Sequence, residues 1–239
     1  MITTPDAWEL AARLAHVTPL RTLAEKVDPA HAALVVIDYQ NEFCDRHGQL
    51  ACEGFDVADA QALAGRLPAL LAAARRAGAL VVFVRNEYSS EKNLYLSDAF
   101  LEQASRTRAG SYTARPVCRA GTWEADFYGG VRPEPHEAVV TKHRFNAFFN
   151  TDLDTILRAH GVRTIVFTGI ASNVCVETTA REAFMRDYYV VFTSDGTAAY
   201  SRQDHEATLR NIDRFFGQVV SVADVQSVWS AAAAPPDRR

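Results

Sequence analysis

Thr164-Ile165-Val166-Phe167-Thr168-Gly169-Ile170-Ala171-Ser172-Asn173-Val174-Cys175-Val176-Glu177 is the stretch that decides how this chain folds. The residues from Thr164 to Thr168 are all β-branched or aromatic and predict a strand. Gly169 interrupts it, Ser172-Asn173 turns the chain, and a helix is expected from Val174 to Asp187. A strand, a turn and a helix in that order form the repeating unit of a parallel sheet. The turn falls at the carboxyl end of its strand, the edge where open α/β sheets bind ligands. Cys175 stands there at the start of a helix, where the positive end of the macrodipole favours a thiolate.

The same alternation continues on both sides. Ala33-Leu34-Val35-Val36-Ile37-Asp38 is too apolar for a strand with one wet face, so both of its faces are expected to be covered. The alanine- and leucine-rich run from Val57 to Ala77 predicts a helix that ends at Gly78. Leu80-Val81-Val82-Phe83-Val84 and Ala138-Val139-Val140-Thr141-Lys142 read as further strands. Asn150 or Thr151 caps an expected helix from Asp152 to His160, closed by Gly161. A strand from Tyr189 to Thr193, a helix from Arg202 to Phe216 and a short strand from Gln218 to Val222 complete the series. The fold class is therefore α/β: a three-layer α-β-α, doubly wound, mostly parallel sheet.

Residues 1–230 are expected to form a single domain, with an N-terminal arm over 1–30 and a long insertion over 86–135. The insertion carries one predicted helix, Ser97 to Arg106, and is of a length that builds pocket walls, lids or subunit contacts. The tail 231–239, with Pro235-Pro236 and no apolar period, is expected to be disordered.

Composition narrows the function classes. The 239 residues are 48% hydrophobic and 23% charged, as in soluble globular proteins. A net charge of −4, with no basic run interleaved with aromatics, argues against a nucleic-acid partner. The first 26 residues carry Asp6, Glu9, Arg13, Arg21 and Glu25 among their apolar positions. They lack the uncharged core of a signal peptide, and no stretch approaches a membrane span, so a cytoplasmic location is expected. Cys44, Cys52, Cys118 and Cys175 are too few for a disulfide scaffold and show no C-x-x-C spacing for zinc or dithiol chemistry.

Three titratable residues fall at carboxyl strand ends, and a parallel sheet brings such ends to one edge. Asp38 ends the first strand, Lys142 ends the strand after the insertion, and Cys175 lies just past the next. A thiol, a cation and a carboxylate meet the needs of amide hydrolysis by a nucleophile. Lys142 would lower the thiol pKa, and Asp38 would take the thiol proton and pass it to the departing nitrogen. His143 follows Lys142, but strand alternation turns it to the opposite side.

Four segments then carry a resemblance. They are Val35-Val36-Ile37-Asp38-Tyr39-Gln40-Asn41-Glu42-Phe43, Lys142-His143-Arg144-Phe145-Asn146-Ala147-Phe148-Phe149, Thr168-Gly169-Ile170-Ala171-Ser172-Asn173-Val174-Cys175-Val176 and Thr193-Ser194-Asp195-Gly196. In this order they resemble the isochorismatase-like cysteine hydrolases, a family with a Rossmann-like topology. It includes nicotinamidase, N-carbamoylsarcosine amidohydrolase, biuret hydrolase and ureidoacrylate amidohydrolase. The resemblance implies a catalytic triad of Asp38, Lys142 and Cys175. It also implies a cis peptide between Ile170 and Ala171, and an oxyanion hole made by the backbone N–H groups of Ala171 and Cys175. A homo-oligomer, dimer or tetramer, is implied in the same way.

Segments such as Gly54-Phe55-Asp56-Val57, Phe148-Phe149-Asn150-Thr151 and Asn211-Ile212-Asp213-Arg214-Phe215-Phe216-Gly217 look most like the ureidoacrylate amidohydrolase and biuret hydrolase branch. The expected reaction is cleavage of a C–N bond in a small amide or ureido compound such as ureidoacrylate, biuret or triuret. It would pass through a thioester and release ammonia or a carbamate. The alternatives are an isochorismatase-type vinyl-ether hydrolase and an amidase of the nicotinamidase or maleamate type. Nicotinamidases bind a metal after the first strand, whereas this region offers only Asp45, His47 and Asp56, so no metal and no other cofactor is expected. Tyr39, Asn86, Tyr88, Phe145 and Arg144 are the candidate substrate-binding residues. Of these, Asn86 is a hydrogen-bonding partner for a ureido group or carboxylate, and Arg144 a partner for a carboxylate.

Overall fold

The computed structural model describes residues 12–107 and 117–232. Six strands lie in the order β3-β2-β1-β4-β5-β6, every neighbouring pair parallel. They are β1 (Ala32–Ile37), β2 (Leu80–Asn86), β3 (Ala138–Lys142), β4 (Thr164–Ile170), β5 (Tyr189–Ala198) and β6 (Gln218–Val220). The direction of winding reverses between β1 and β4, so the carboxyl ends of these two strands flank the crevice where doubly wound sheets bind ligands.

The longer helices among the described residues are α1 (Leu67–Ala77), α2 (Asp98–Thr107), α3 (Leu153–Ala159), α4 (Glu177–Met185), α5 (Arg202–Phe215) and α6 (Val222–Ala232). The all-apolar β1 run is explained by the two cores it feeds. Leu34 and Val36 pack with Leu67, Leu70 and Leu71 of α1 and Trp229 of α6 on one face. Ala33, Val35 and Ile37 pack with Leu157 of α3, Ala180 of α4 and Ile212 of α5 on the other. Alternation along a strand sends successive residues to opposite layers, so a strand buried on both faces must be apolar throughout.

Three elements depart from the sequence expectation. The helix expected over Val57 to Ala77 is broken into Ala58–Ala62, a 3₁₀ turn Leu63–Gly65, and α1. Pro68 sits in the first turn of α1, where its missing N–H costs nothing; further inside a continuous helix it would clash with the preceding turn. Gly78 ends α1 in the left-handed conformation, with φ of 78°. The strand β5 runs on to Ala198 after a register shift against β4 between Phe167 and Gly169. Past β6, the chain forms α6, whose Val222, Val225 and Trp229 are buried, and the Trp229 indole N–H donates to Val27 O at 2.7 Å. The tail expected to be disordered falls mostly outside the described residues. No helix among the described residues is long and apolar enough to cross a membrane.

Candidate active site

The end of β1 is bent into the site. Asp38 has φ of 50°, a left-handed conformation unusual for a residue with a Cβ, and its N–H donates to Val84 O at 2.9 Å. Next to it, Gly169 has φ of 105°, and a Cβ placed there would lie 2.0 Å from the Ile37 carbonyl oxygen. Only glycine lets β4 press so closely on the end of β1. The peptide between Ile170 and Ala171 is cis. Ser172–Val176 then forms a single π-type turn that runs into α4. Cys175 is carried on that turn, with the Ala171 carbonyl accepting from Val174 N and Val176 N.

Lys142 ends β3, the edge strand, two strands away from β1. Neighbouring strands are spaced about 4.8 Å apart, so only a long side chain can bridge that gap. Its ammonium lies 2.7 Å from Asp38 Oδ2 and donates to Arg144 O at 3.0 Å and to Cys175 Sγ at 3.4 Å. Neither Asp38 oxygen has a hydrogen-bond partner of good geometry, so Lys142 holds the carboxylate as an ion pair, and the Cys175 thiol interacts with the same carboxylate. Lys142 and Asp38 are fully buried, while Cys175 keeps 8% of its surface on the cavity.

Burial sets the charge states. Desolvation pushes the Asp38 carboxyl above the usual aspartate range, although Lys142 pulls the other way. Desolvation would lower Lys142, but the charges of Asp38 and Cys175 overcome it and hold the ammonium above its ordinary value. Cys175 is pushed up to about 12, first by desolvation and then by Asp38, against the attraction of Lys142. Burial thus works against the thiolate expected at the head of the helix and favours the protonated thiol. A helix end and one ammonium do not offset removal from water beside an anion.

A cavity of about 470 Å³ opens over this centre. Asp38, Ile170, Ala171 and Cys175 form its floor, and Phe43, Leu50, Phe55, Tyr88, Phe145 and Tyr200 its apolar wall. Gln103, Asn173, Val174, Ser201 and Asp204 complete the lining. Thus Tyr88 and Phe145 stand where the sequence suggested, and Tyr39, Arg144 and Asn86 lie off the lining. Tyr39 is a core residue: its ring meets Tyr128 edge-on and its hydroxyl donates to Ala60 O at 2.9 Å. Arg144 donates to Tyr95 O and His143 O and lies over the Phe100 ring. Asn86 is fully buried beside Lys142 in the β2–β3 register, with neither side-chain amide atom hydrogen-bonded within the protein.

Several contributors carry no signal in the local sequence pattern. Buried Gln40 clamps the Asn86 backbone, accepting from its N–H at 2.8 Å and donating to its carbonyl at 3.0 Å. On α5, His205 faces Ser172 Oγ through Nδ1 and Ser194 O through Nε2, both at 2.9 Å. Away from the cavity, Asp45 and His47 pair with each other on the loop after β1. Among the described residues, Glu134, His136 and Glu137 are grouped closely enough to hold a metal ion, at the amino end of β3, but Glu137 is already engaged by Arg75.

A family model described as the isochorismatase domain matches residues 32–224. A ureidoacrylate amidohydrolase RutB from Enterobacter sp. (strain 638) is 36% identical over 91% of this chain and 96% of its own length. The crystal structure of a cysteine hydrolase from Pseudomonas syringae pv. phaseolicola superposes with a TM-score of 0.75 at 27% identity, covering 90% of this chain and 99% of the other. An N-carbamoylsarcosine amidase from Thermoplasma acidophilum superposes with a TM-score of 0.62 at 25% identity, covering 80% and 96%.

Proposed function

The chain belongs to the isochorismatase family, and from that premise we propose that it is a cysteine-dependent amidohydrolase acting on an amide or ureido carbonyl. The observation that carries this reading is the buried cluster of Lys142, Asp38 and Cys175 at the floor of a cavity. Asp38, Lys142 and Cys175 are the proposed catalytic residues, and the amides of Ala171 and Cys175 the proposed oxyanion donors.

Asp38 accepts the Cys175 proton as the sulfur bonds to the carbonyl carbon. A carboxylate whose pKa is raised by burial is a stronger base than an ordinary aspartate, which suits this task. Lys142, held protonated, compensates the charge as it passes from oxygen to sulfur. The oxyanion of the tetrahedral intermediate is met by the two backbone N–H groups, each worth about 2.7–4 kcal/mol of barrier in comparable sites. Asp38 returns its proton to the nitrogen, the C–N bond breaks and ammonia leaves. The thioester, or thiocarbamate from a ureido substrate, is then attacked by water that has given a proton to Asp38. The acid or carbamate departs, and the proton returns to sulfur.

Ureidoacrylate, biuret and triuret are the first compounds to assay, given the activity named for the RutB relatives. Tyr88 and Phe145, which line the cavity, are the proposed substrate contacts; Asn86, fully buried beside Lys142 and off the lining, is not one of them. The test is ammonia release by Cys175→Ala and Cys175→Ser. Loss of at least ~1,000-fold is expected; turnover that persists in both variants contradicts the reading and favours vinyl-ether hydrolysis.

A further inference from the structure

We propose that the part of the substrate away from the scissile amide is an uncharged, apolar group such as a ring or branched chain, and not a carboxylate. It rests on the proposed amidohydrolase function and departs from ureidoacrylate, itself a carboxylate, as the preferred substrate. The cavity is the first observation. Its 470 Å³ lies within the ~300–1,000 Å³ typical of pockets that enclose drug-sized molecules. Biuret or ureidoacrylate would fill a fraction of it.

The second observation is the wall. Beyond the floor, Phe43, Leu50, Phe55, Phe145 and Tyr200 present apolar surface from three separate parts of the chain. Phe55 and Tyr200 meet edge-on with ring centroids 5.7 Å apart, which fixes both rings as one side of the slot. Apolar surface of this extent gains free energy by excluding water against a matching apolar group, and gains nothing against a hydrated anion.

Charge is the third. Among the described lining residues, the charged side chains are Asp38 on the floor, balanced by Lys142, and Asp204 in the first turn of α5. Of the described cations near the floor, Lys142 is wholly buried, pairs with Asp38 and donates to Arg144 O and Cys175 Sγ, and Arg144 donates to two backbone carbonyls. A substrate carboxylate would meet Asp204 and an apolar wall, without a described lining cation to receive it.

The experiment compares two amides matched at the reacting group: 3-phenylpropanamide, ending in a phenyl ring, and succinamate, ending in a carboxylate. Ureidoacrylate and biuret are run beside them. The wild type and Cys175→Ala are both assayed for ammonia release, and Cys175→Ala is titrated with each compound by calorimetry. The phenyl amide is expected to show at least a ten-fold higher kcat/KM and a ten-fold lower Kd than succinamate. Tyr200→Ala is expected to raise KM for the phenyl amide several-fold and leave that for succinamate unchanged. Asp204→Asn is expected to improve succinamate alone, an effect that shrinks at high salt. Equal or tighter binding of succinamate or ureidoacrylate to Cys175→Ala overturns the inference, even if that variant is inactive and the cysteine mechanism stands. Ammonia release by Cys175→Ala overturns the cysteine mechanism instead, whichever amide is preferred.

Discussion

Lys142 Nζ stands 2.7 Å from Asp38 Oδ2, with both side chains wholly out of contact with solvent. Ion pairs in such surroundings contribute little net stability, because desolvation cancels most of the attraction. Removing one partner is a different matter, since it leaves a charge buried and unpaired. The pair is thus better understood as fixing the ionic state of the centre than as holding the fold together.

Lys142→Met tests this directly. It leaves Asp38 without its counter-ion, so the carboxyl is expected to become protonated and unable to accept the thiol proton. Ammonia release should fall at least ~100-fold, and urea denaturation should show a loss of about 3–5 kcal/mol. Pairing the change with Asp38→Asn should recover much of the stability and none of the activity. Unaltered activity in Lys142→Met would remove the lysine from the mechanism.

The pH profile is set by the direction of each shift. Asp38 must be ionised to act as base, and burial raises its pKa, so the acidic limb of kcat/KM should lie above the range of an ordinary aspartate. Activity is lost as pH falls through that raised value. Cys175 titrates only at about 12 and Lys142 is held above its usual value, so no alkaline limb is expected through pH 9. Initial rates between pH 4 and 9 decide it; a rising limb near pH 8 would indicate instead that a free thiolate must form before attack.

His205 is expected to position the nucleophile's turn. The Ser194 carbonyl can only accept, so Nε2 carries a proton, and in the neutral ring Nδ1 accepts from the Ser172 hydroxyl. This joins α5 to the turn bearing Ala171 and Cys175. His205→Gln can keep the Ser194 bond and lose the one to Ser172, whereas His205→Asn does the reverse. The glutamine variant and Ser172→Ala should each lower kcat about 10-fold with KM little changed, and their effects should not add. The asparagine variant should retain more activity than the glutamine one. Equal losses in both, or a change confined to melting temperature, would reduce His205 to a packing residue.

Much of this could be read from the chain because parallel strands bring their carboxyl ends to one edge. Asp38, Lys142 and Cys175 could therefore be grouped before any distance was known. The turn after β4 was equally legible, since Gly169 and Ser172-Asn173 punctuate a β-branched run. What local pattern could not convey came from tertiary context. Pro68 begins a new helix and does not merely end an old one. Phe43, Leu50, Phe55 and Tyr200 become a wall only when the segments after β1 and β5 meet. Tyr39 and Arg144 looked available as isolated side chains, but the core and nearby carbonyls claim them. The protonated state of Cys175 depends on how completely water is excluded, and sequence spacing carries no measure of that.

The most direct test is the mass of the intact protein, quenched in acid during turnover of an amide substrate. The account predicts a covalent adduct equal to the substrate's acyl or carbamoyl group, mapping to Cys175 in peptide digests and absent from Cys175→Ala. Steady turnover with no adduct under rapid quench, and full ammonia release by Cys175→Ala, would contradict it.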